Sequence, residues 1–219
     1  MPPKLLYFDL GNVLLAFSHE QMYRQMAEVL EVAPEALKQT MLDPGQAADL
    51  IIQYETGQLT TEEFTELVHR LIDRRPDLHR FHKAVSDIFS PMPESWEIVN
   101  HLARAGHQMA ILSNTNPAHW EWVTGGRFPL VAAIGQPESP FGWAILSYEA
   151  GSMKPDPEIY HAAIEKAGVP AGDIFFVDDR PENVEGAKAV GIDAVQFEGP
   201  VKFRHDLARR GIEVPKTRC

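Results

Sequence analysis

Two periodicities follow one another along this chain. A short apolar run, Leu5 to Phe8, stops at Asp9 and is followed at once by Gly11 and Asn12. A β-rich run bounded by turn formers predicts a buried strand. From about Ser18 to Ser90 the apolar positions take helical spacing instead. Met22, Met26, Val29 and Leu30 predict a helix over His19 to Leu30, and Pro34 suits the first turn of a short helix to Met41. A helix over Ala47 to Tyr54 is closed by Thr56-Gly57, where glycine suits a C-terminus. Thr60 and Glu63 have the spacing of a capping box and open a helix to about Ile72 on Phe64, Leu67, Val68 and Leu71. Pro76 starts another, to about Phe89.

At Pro91-Met92-Pro93 the texture changes. Strands are expected over His107 to Leu112, Ile174 to Val177 and Ala194 to Phe197, with Leu130 to Ile134 and Ala144 to Ser147 as short candidates. Helices are expected over Pro93 to Ala105, Pro117 to Val123, Val184 to Val190 and Val201 to Arg210. One more runs to about Ala167 with Asp156 as a candidate cap. Such alternation predicts an α/β fold with right-handed crossovers and a parallel sheet covered on both faces. The expected organisation is a core of residues 1–16 and 91–219 with a helical bundle, residues 17–90, inserted behind the first strand.

Composition narrows the partners. A chain of 219 residues, 44% hydrophobic and 23% charged, is ordinary for a globular protein. A net charge of −11 argues against nucleic acid or an anionic membrane as partner, though a local pocket can still hold a small anion. Nothing approaches the roughly 20 apolar residues of a membrane span. The apolar start is broken by Asp9 and lacks a basic lead-in, and the single cysteine, Cys219, allows no internal disulfide; both fit a cytoplasmic location. No oligomeric state is written in the pattern.

The chemistry collects at strand ends. Asp9 follows the first strand, Ser113 the strand over His107 to Leu112, and Asp178-Asp179 a later one, while Lys154 lies in a loop leading into a helix. Parallel strands place their carboxyl ends on one edge, so these groups can converge. Singly each has an ordinary reading: a turn-capping Asp, a turn Ser, a solvated Lys. The adjacent carboxylates are harder to dismiss, because two neighbouring charges at a buried strand end call for a cation. Together the set suits phosphoryl chemistry. The carboxylates would bind Mg²⁺, Lys154 would neutralise phosphate charge, Ser113 and nearby amides would hold its oxygens, and Asp9 would attack phosphorus.

FDLGNV, LSNTN, MKPD and FVDDRPENVEGA resemble the four motifs of the haloacid dehalogenase-like hydrolase superfamily, and the helical insert resembles its cap domain. The resemblance covers essentially the whole chain. It implies a Rossmann-like core, Mg²⁺ as cofactor, and most often phosphatase activity on a small phosphorylated substrate through an aspartyl phosphate. By motif position Asp9 resembles the nucleophile, Ser113 the phosphate binder, Lys154 the charge stabiliser and Asp179 the direct metal ligand. Asp178 would be a second carboxylate at the metal or its waters, and Asn183 a supporting polar group. Gly11, Asn12 and Asn114 fall where the resemblance places substrate phosphate, and the Gly11 carbonyl can reach the metal.

One departure matters. Phosphatases of the family usually carry a second aspartate two residues after the nucleophile, as general acid and then base; here that residue is Gly11. Losing such a group costs about 10²–10⁴-fold in rate. Three readings follow: substrates with good leaving groups, a proton donor supplied by the insert or by water, or a weak binding or scaffold relative. Members with the same Gly-Asn pairing resemble sugar-phosphate phosphatases. A 2-haloacid dehalogenase is the enzymatic alternative, but the retained Asp178-Asp179 pair argues for metal and phosphate. A phosphorylated signalling receiver uses similar groups in another order. Substrate choice is expected to reside in the insert, with His19, Tyr23, Arg24 and Tyr54 as candidates, and Trp120 and Trp122 either lining the pocket or packing on the sheet.

Overall fold

The computed structural model describes residues 2–42 and 46–214; Cys219 lies outside them. The strands are β1 (Leu5–Phe8), β2 (Leu15–Phe17), β3 (Phe89–Pro91), β4 (Met109–Ser113), β5 (Ala144–Leu146), β6 (Ile174–Asp178) and β7 (Asp193–Gln196). The inserted helices are α1 (His19–Leu30), α2 (Pro34–Leu42), α3 (Gln46–Glu55), α4 (Thr61–Ile72) and α5 (Leu78–Ser86). The rest of the chain carries α6 (Pro93–Arg104), α7 (Pro117–Thr124), α8 (Pro129–Ala132), α9 (Ser147–Ala150), α10 (Pro157–Ala167), α11 (Pro181–Ala189) and α12 (Pro200–Ala208).

Five strands form one parallel sheet in the order β5-β4-β1-β6-β7, a Rossmann-like core with β1 at its centre. Because side chains alternate along a strand, β1 serves both faces. Leu6 and Phe8 join Ile98, Leu102, Phe203 and Leu207 of α6 and α12 on one side. Leu5 and Tyr7 join Ile159, Tyr160, Val184 and Ala187 of α10 and α11 on the other. This two-sided burial is why β1, β4 and β6 read as continuous apolar runs and not as alternating ones.

The inserted helices bury a core of their own around Tyr23, Met26, Leu30, Val68 and Phe81. The capping box is present: Thr60 Oγ1 accepts from the Glu63 amide (3.2 Å) and Glu63 accepts from the Thr60 amide (2.9 Å). The insert is joined to the core through a two-stranded antiparallel ribbon, β2 with β3, that pairs Leu15 with Pro91 and Phe17 with Phe89. Among the described residues no helix is long and apolar enough to cross a membrane.

Three local expectations are corrected. Leu130 to Ile134 is not a strand; Pro129 presets a helical turn, and α8 buries Leu130 and Val131 against the sheet. The helix expected from Pro76 to Phe89 is shorter at both ends. Asp77 caps it by accepting from the Arg80 amide (2.9 Å), and it stops at Ser86 because Phe89 is drawn into the ribbon. Asp156 occupies the cap position of α10 without a side-chain bond to the helix.

Candidate active site

The crossover order of the sheet places β4 and β6 on either side of β1, and their carboxyl ends deliver the expected groups to one crevice. Lys154 is the hub. Its Nζ donates to Asp9 Oδ1 (2.7 Å), to Asp178 Oδ2 (2.6 Å) and to the Leu112 carbonyl (2.9 Å), so all three ammonium protons are engaged. Lys154 and Asp178 are buried and Asp9 is 7% exposed. Burial alone would lower the Lys154 pKa, but the Asp9 and Asp178 carboxylates outweigh it and hold the ammonium above its usual range. The Asp9 pKa is also pushed up, to about 7: burial is the main cause, Lys154 opposes it, and Asp178 and Asp179 add to it.

The surrounding bonds fix these positions. Asn114 grips the Lys154 backbone at both ends, accepting from its amide (2.8 Å) and donating to its carbonyl (2.8 Å). Asp178 Oδ1 accepts from the Arg180 amide (2.9 Å) and from Asn183 Nδ2 (3.0 Å). Asn12, in the left-handed region at φ 52°, donates from Nδ2 to Asp179 Oδ2 (3.0 Å), and Gln196 holds the Asp179 carbonyl (3.0 Å). The structure thus gives the side chains of Asn12 and Asn114, both expected at the phosphate, the task of positioning Asp179 and Lys154. Ser113 is buried at the end of β4, its hydroxyl on the Asn114 carbonyl (3.3 Å).

The donor set fits a hard divalent cation. Asp9, Asp178 and Asp179 each place an oxygen within 4.8 Å of the others. One ammonium leaves three clustered carboxylates under-neutralised, which is costly in a buried site. Asn183 Oδ1, beside Asp178, is buried without a hydrogen-bond partner, an acceptor open to a water proton.

Above this polar end opens a cavity of about 380 Å³ between core and insert. Asp9, Gly11, Asn114, Lys154, Asp179 and Asn183 line its floor. His19, Tyr23, Tyr54 and Glu55 line it from the insert; Arg24 does not and is exposed. A smaller cavity of about 80 Å³ joins Gly11 and Ser113 to Phe17, His19 and Glu55. Trp120 and Trp122 pack against the core cluster and not into the cavity.

Several residues of the site carry no motif signal. His119 ties the halves together: Nε2 donates to the Val85 carbonyl of α5 (3.2 Å) while Nδ1 accepts from Asn116 Nδ2 (3.1 Å). Burial pushes its pKa down to about 4, so the ring stays neutral in that role. Tyr54 adds a second tie, its hydroxyl accepting from the Ala118 amide (3.2 Å). Glu55 is half-buried; burial raises its pKa to about 7, and the positive charge of Arg180 opposes the rise.

A family model described as haloacid dehalogenase-like hydrolase matches residues 3–191. The chain belongs to this family. This haloacid dehalogenase-like hydrolase is 25% identical over 206 residues to a D-ribitol-5-phosphate phosphatase of Bacteroides thetaiotaomicron, covering 93% of this chain and 96% of that protein. It is 28% identical over 199 residues to the (S)-2-haloacid dehalogenase 4A of Burkholderia cepacia, covering 87% of this chain and 80% of that one. Its fold matches the crystal structure of a haloacid dehalogenase family enzyme of Bacteroides thetaiotaomicron in complex with magnesium and inorganic phosphate. That match has a TM-score of 0.76 at 27% identity, covering 89% of this chain and 93% of that one. The protein is an enzyme, a hydrolase of the kind that works through a catalytic aspartate.

Proposed function

We propose that the protein is a Mg²⁺-dependent phosphatase of a small phosphorylated metabolite, acting through an aspartyl phosphate on Asp9. The observation that carries this is Lys154, bonded to Asp9 and Asp178 across the ends of β1 and β6, with Asp179 in the same cluster. Asp9 attacks phosphorus, the bond to the leaving oxygen breaks, and that oxygen takes a proton from water or from a side chain of the insert to depart as the alcohol. Water then attacks the acyl phosphate, the bond to Asp9 breaks, and inorganic phosphate leaves. Lys154 favours the ionised form of Asp9 against the burial that raises its pKa and offsets phosphate charge, Asn114 and Asn12 hold Lys154 and Asp179 in place, and the buried floor excludes bulk water. Mg²⁺ held by Asp9, Asp178 and Asp179, with the Gly11 carbonyl in reach, would supply Lewis-acid polarisation of the phosphoryl group.

Gly11 moves no proton. The titratable groups on the cavity wall that are not tied up in internal hydrogen bonds include His19, Tyr23 and Glu55, all on the insert. The likeness to a D-ribitol-5-phosphate phosphatase and the Gly11-Asn12 variant favour a sugar phosphate. The composition of the walls favours a second reading, an ester with fewer hydroxyls. Haloacid dehalogenation needs no metal and would leave the clustered carboxylates of Asp9, Asp178 and Asp179 with Lys154 alone to offset them.

The test is phosphate release from a panel of activated aryl, sugar and alkyl phosphates, with Mg²⁺ and with chelator. Turnover that needs both the metal and Asp9 is expected, and Asp9→Asn is expected to abolish it with the fold intact. Full activity in Asp9→Asn would refute the covalent route.

A further inference from the structure

Above its polar floor the cavity is lined by more apolar side chains than polar ones. Four of the chain's seven methionines line it, Met22, Met26, Met41 and Met153, together with Phe17, Ile51, Phe64 and Val85. Methionine walls are adaptable and make favourable sulfur contacts with the edges of aromatic rings.

The polar groups on the same walls are mostly already engaged. Tyr54 is tied to Thr61 (2.9 Å) and the Ala118 amide. Both ring nitrogens of His119 are bonded, and Asn116 is held by His119, accepting from its amide (3.0 Å) and donating to its Nδ1. Asn114 holds Lys154, and Arg180 bonds Glu182 (2.7 Å). His19, Tyr23, Glu55 and the Nη1 end of Arg180 remain to meet a ligand. A polyol chain carries a hydroxyl on nearly every carbon, each of which needs a partner when buried, and these few scattered side chains cannot satisfy them all.

We infer that the alcohol half of the substrate is a largely apolar body, an aromatic or branched aliphatic group carrying at most two or three polar atoms, and not a polyol. This rests on the phosphatase reading only for the phosphate end; the preference for an apolar body belongs to the walls and holds for binding alone. The phosphate would sit on the floor beside Lys154, and the body would extend between α1, α3 and α4, reaching Met22, Ile51 and Phe64. One hydroxyl or amine on it would meet Glu55 or His19.

The test is binding of non-hydrolysable phosphonates to the wild-type chain with Mg²⁺, read by calorimetry, so that turnover is not required. We expect 3-phenylpropylphosphonate to bind at least about 30-fold more tightly than a tetrahydroxypentylphosphonate, since buried hydroxyls left unpaired discriminate on that scale or above. Met22→Gln, at a partly buried position, is expected to shrink the ratio severalfold by weakening the first ligand alone. Equal binding, or preference for the polyol, overturns the assignment; so does a Met22→Gln effect common to both ligands. Phosphate release from the corresponding esters is scored separately. A chain that binds the apolar phosphonate but hydrolyses nothing refutes the phosphatase reading and leaves the wall assignment standing.

Discussion

Gly11 is the position at which a usual proton carrier is missing, and the structure states what stands in its place. A Cβ added to Gly11 would lie 2.8 Å from Cε1 and 3.2 Å from Cδ1 of Phe17. Carbon pairs settle at about 3.5–4.0 Å, so the ring intrudes by more than half an ångström on any side chain there. Phe17 is not free to leave. It is half-buried in β2, with its ring 6.2 Å from that of Phe89 and 5.0 Å from that of His19. Overpacking of this kind costs about 1–3 kcal/mol, and partial exposure puts Gly11→Ala in the lower half of that range. With Phe17→Ala the obstruction disappears. The Gly11 backbone is outside the positive-φ region, so alanine should then stabilise slightly, by about 0.4–1 kcal/mol, through the unfolded state. The same substitution thus changes sign with its neighbour, and the expected coupling is about 2 kcal/mol.

The assay is equilibrium urea unfolding of the wild type, both single variants and the double variant, with m-values compared. Additivity within about 0.5 kcal/mol would refute the reasoning, since it would mean the ring yields without cost. The functional corollary is equally sharp. Gly11→Asp alone should leave hydrolysis of alkyl phosphates unimproved, whereas Gly11→Asp with Phe17→Ala should raise it, because only then has the new carboxyl room to reach the leaving oxygen.

Two further outcomes are expected. The depressed pKa of His119 means that its contribution to stability is complete above the unfolded value near 6.5 and is lost as pH falls to about 4. The loss is up to about 3 kcal/mol, and nearer 2 for a half-buried ring, so His119→Asn should flatten the stability profile between pH 4 and 6.5; unchanged slopes would refute the link. Gly57, at φ +72°, brings the end of α3 against Tyr148, and a Cβ there would lie 2.0 Å from the Tyr148 carbonyl oxygen. Gly57→Ala should therefore cost about 2 kcal/mol or more and raise KM by loosening the insert, read by thermal unfolding and steady-state kinetics together.

What the sequence disclosed follows from where information is local. Asp9, Ser113 and Asp178 each end an apolar run, and topology alone then brings them together, so the floor of the site could be read before any coordinates. Helices with caps and wide apolar stripes were equally legible, α1 and α4 above all. The ribbon of β2 and β3 was not, because three residues a side hold no period and the pairing partners are more than 70 positions apart. Phe17 in front of Gly11, His119 under Val85 and Glu55 on the wall were invisible for the same reason: each matters through a neighbour on another element.

The two ends of the cavity answer to different constraints. The floor is fixed by electrostatics: a buried ammonium and three carboxylates cannot be exchanged one at a time without leaving an uncompensated charge. The walls are fixed by packing, because Met26, Met41 and Phe64 also belong to the buried core of the insert. Closing the insert over the floor takes hydrogen bonds, and Tyr54, Asn116 and His119 are the groups that make or support them. These are the same side chains that could otherwise read hydroxyls. Closure and discrimination therefore draw on one small set of polar atoms, and a variant that frees them to bind a polyol gives up the contacts that exclude water from Asp9. A shift toward more hydroxylated substrates accordingly requires new polar residues among the methionines, at Met22 or Met153, before the ties at His119 and Tyr54 can be released.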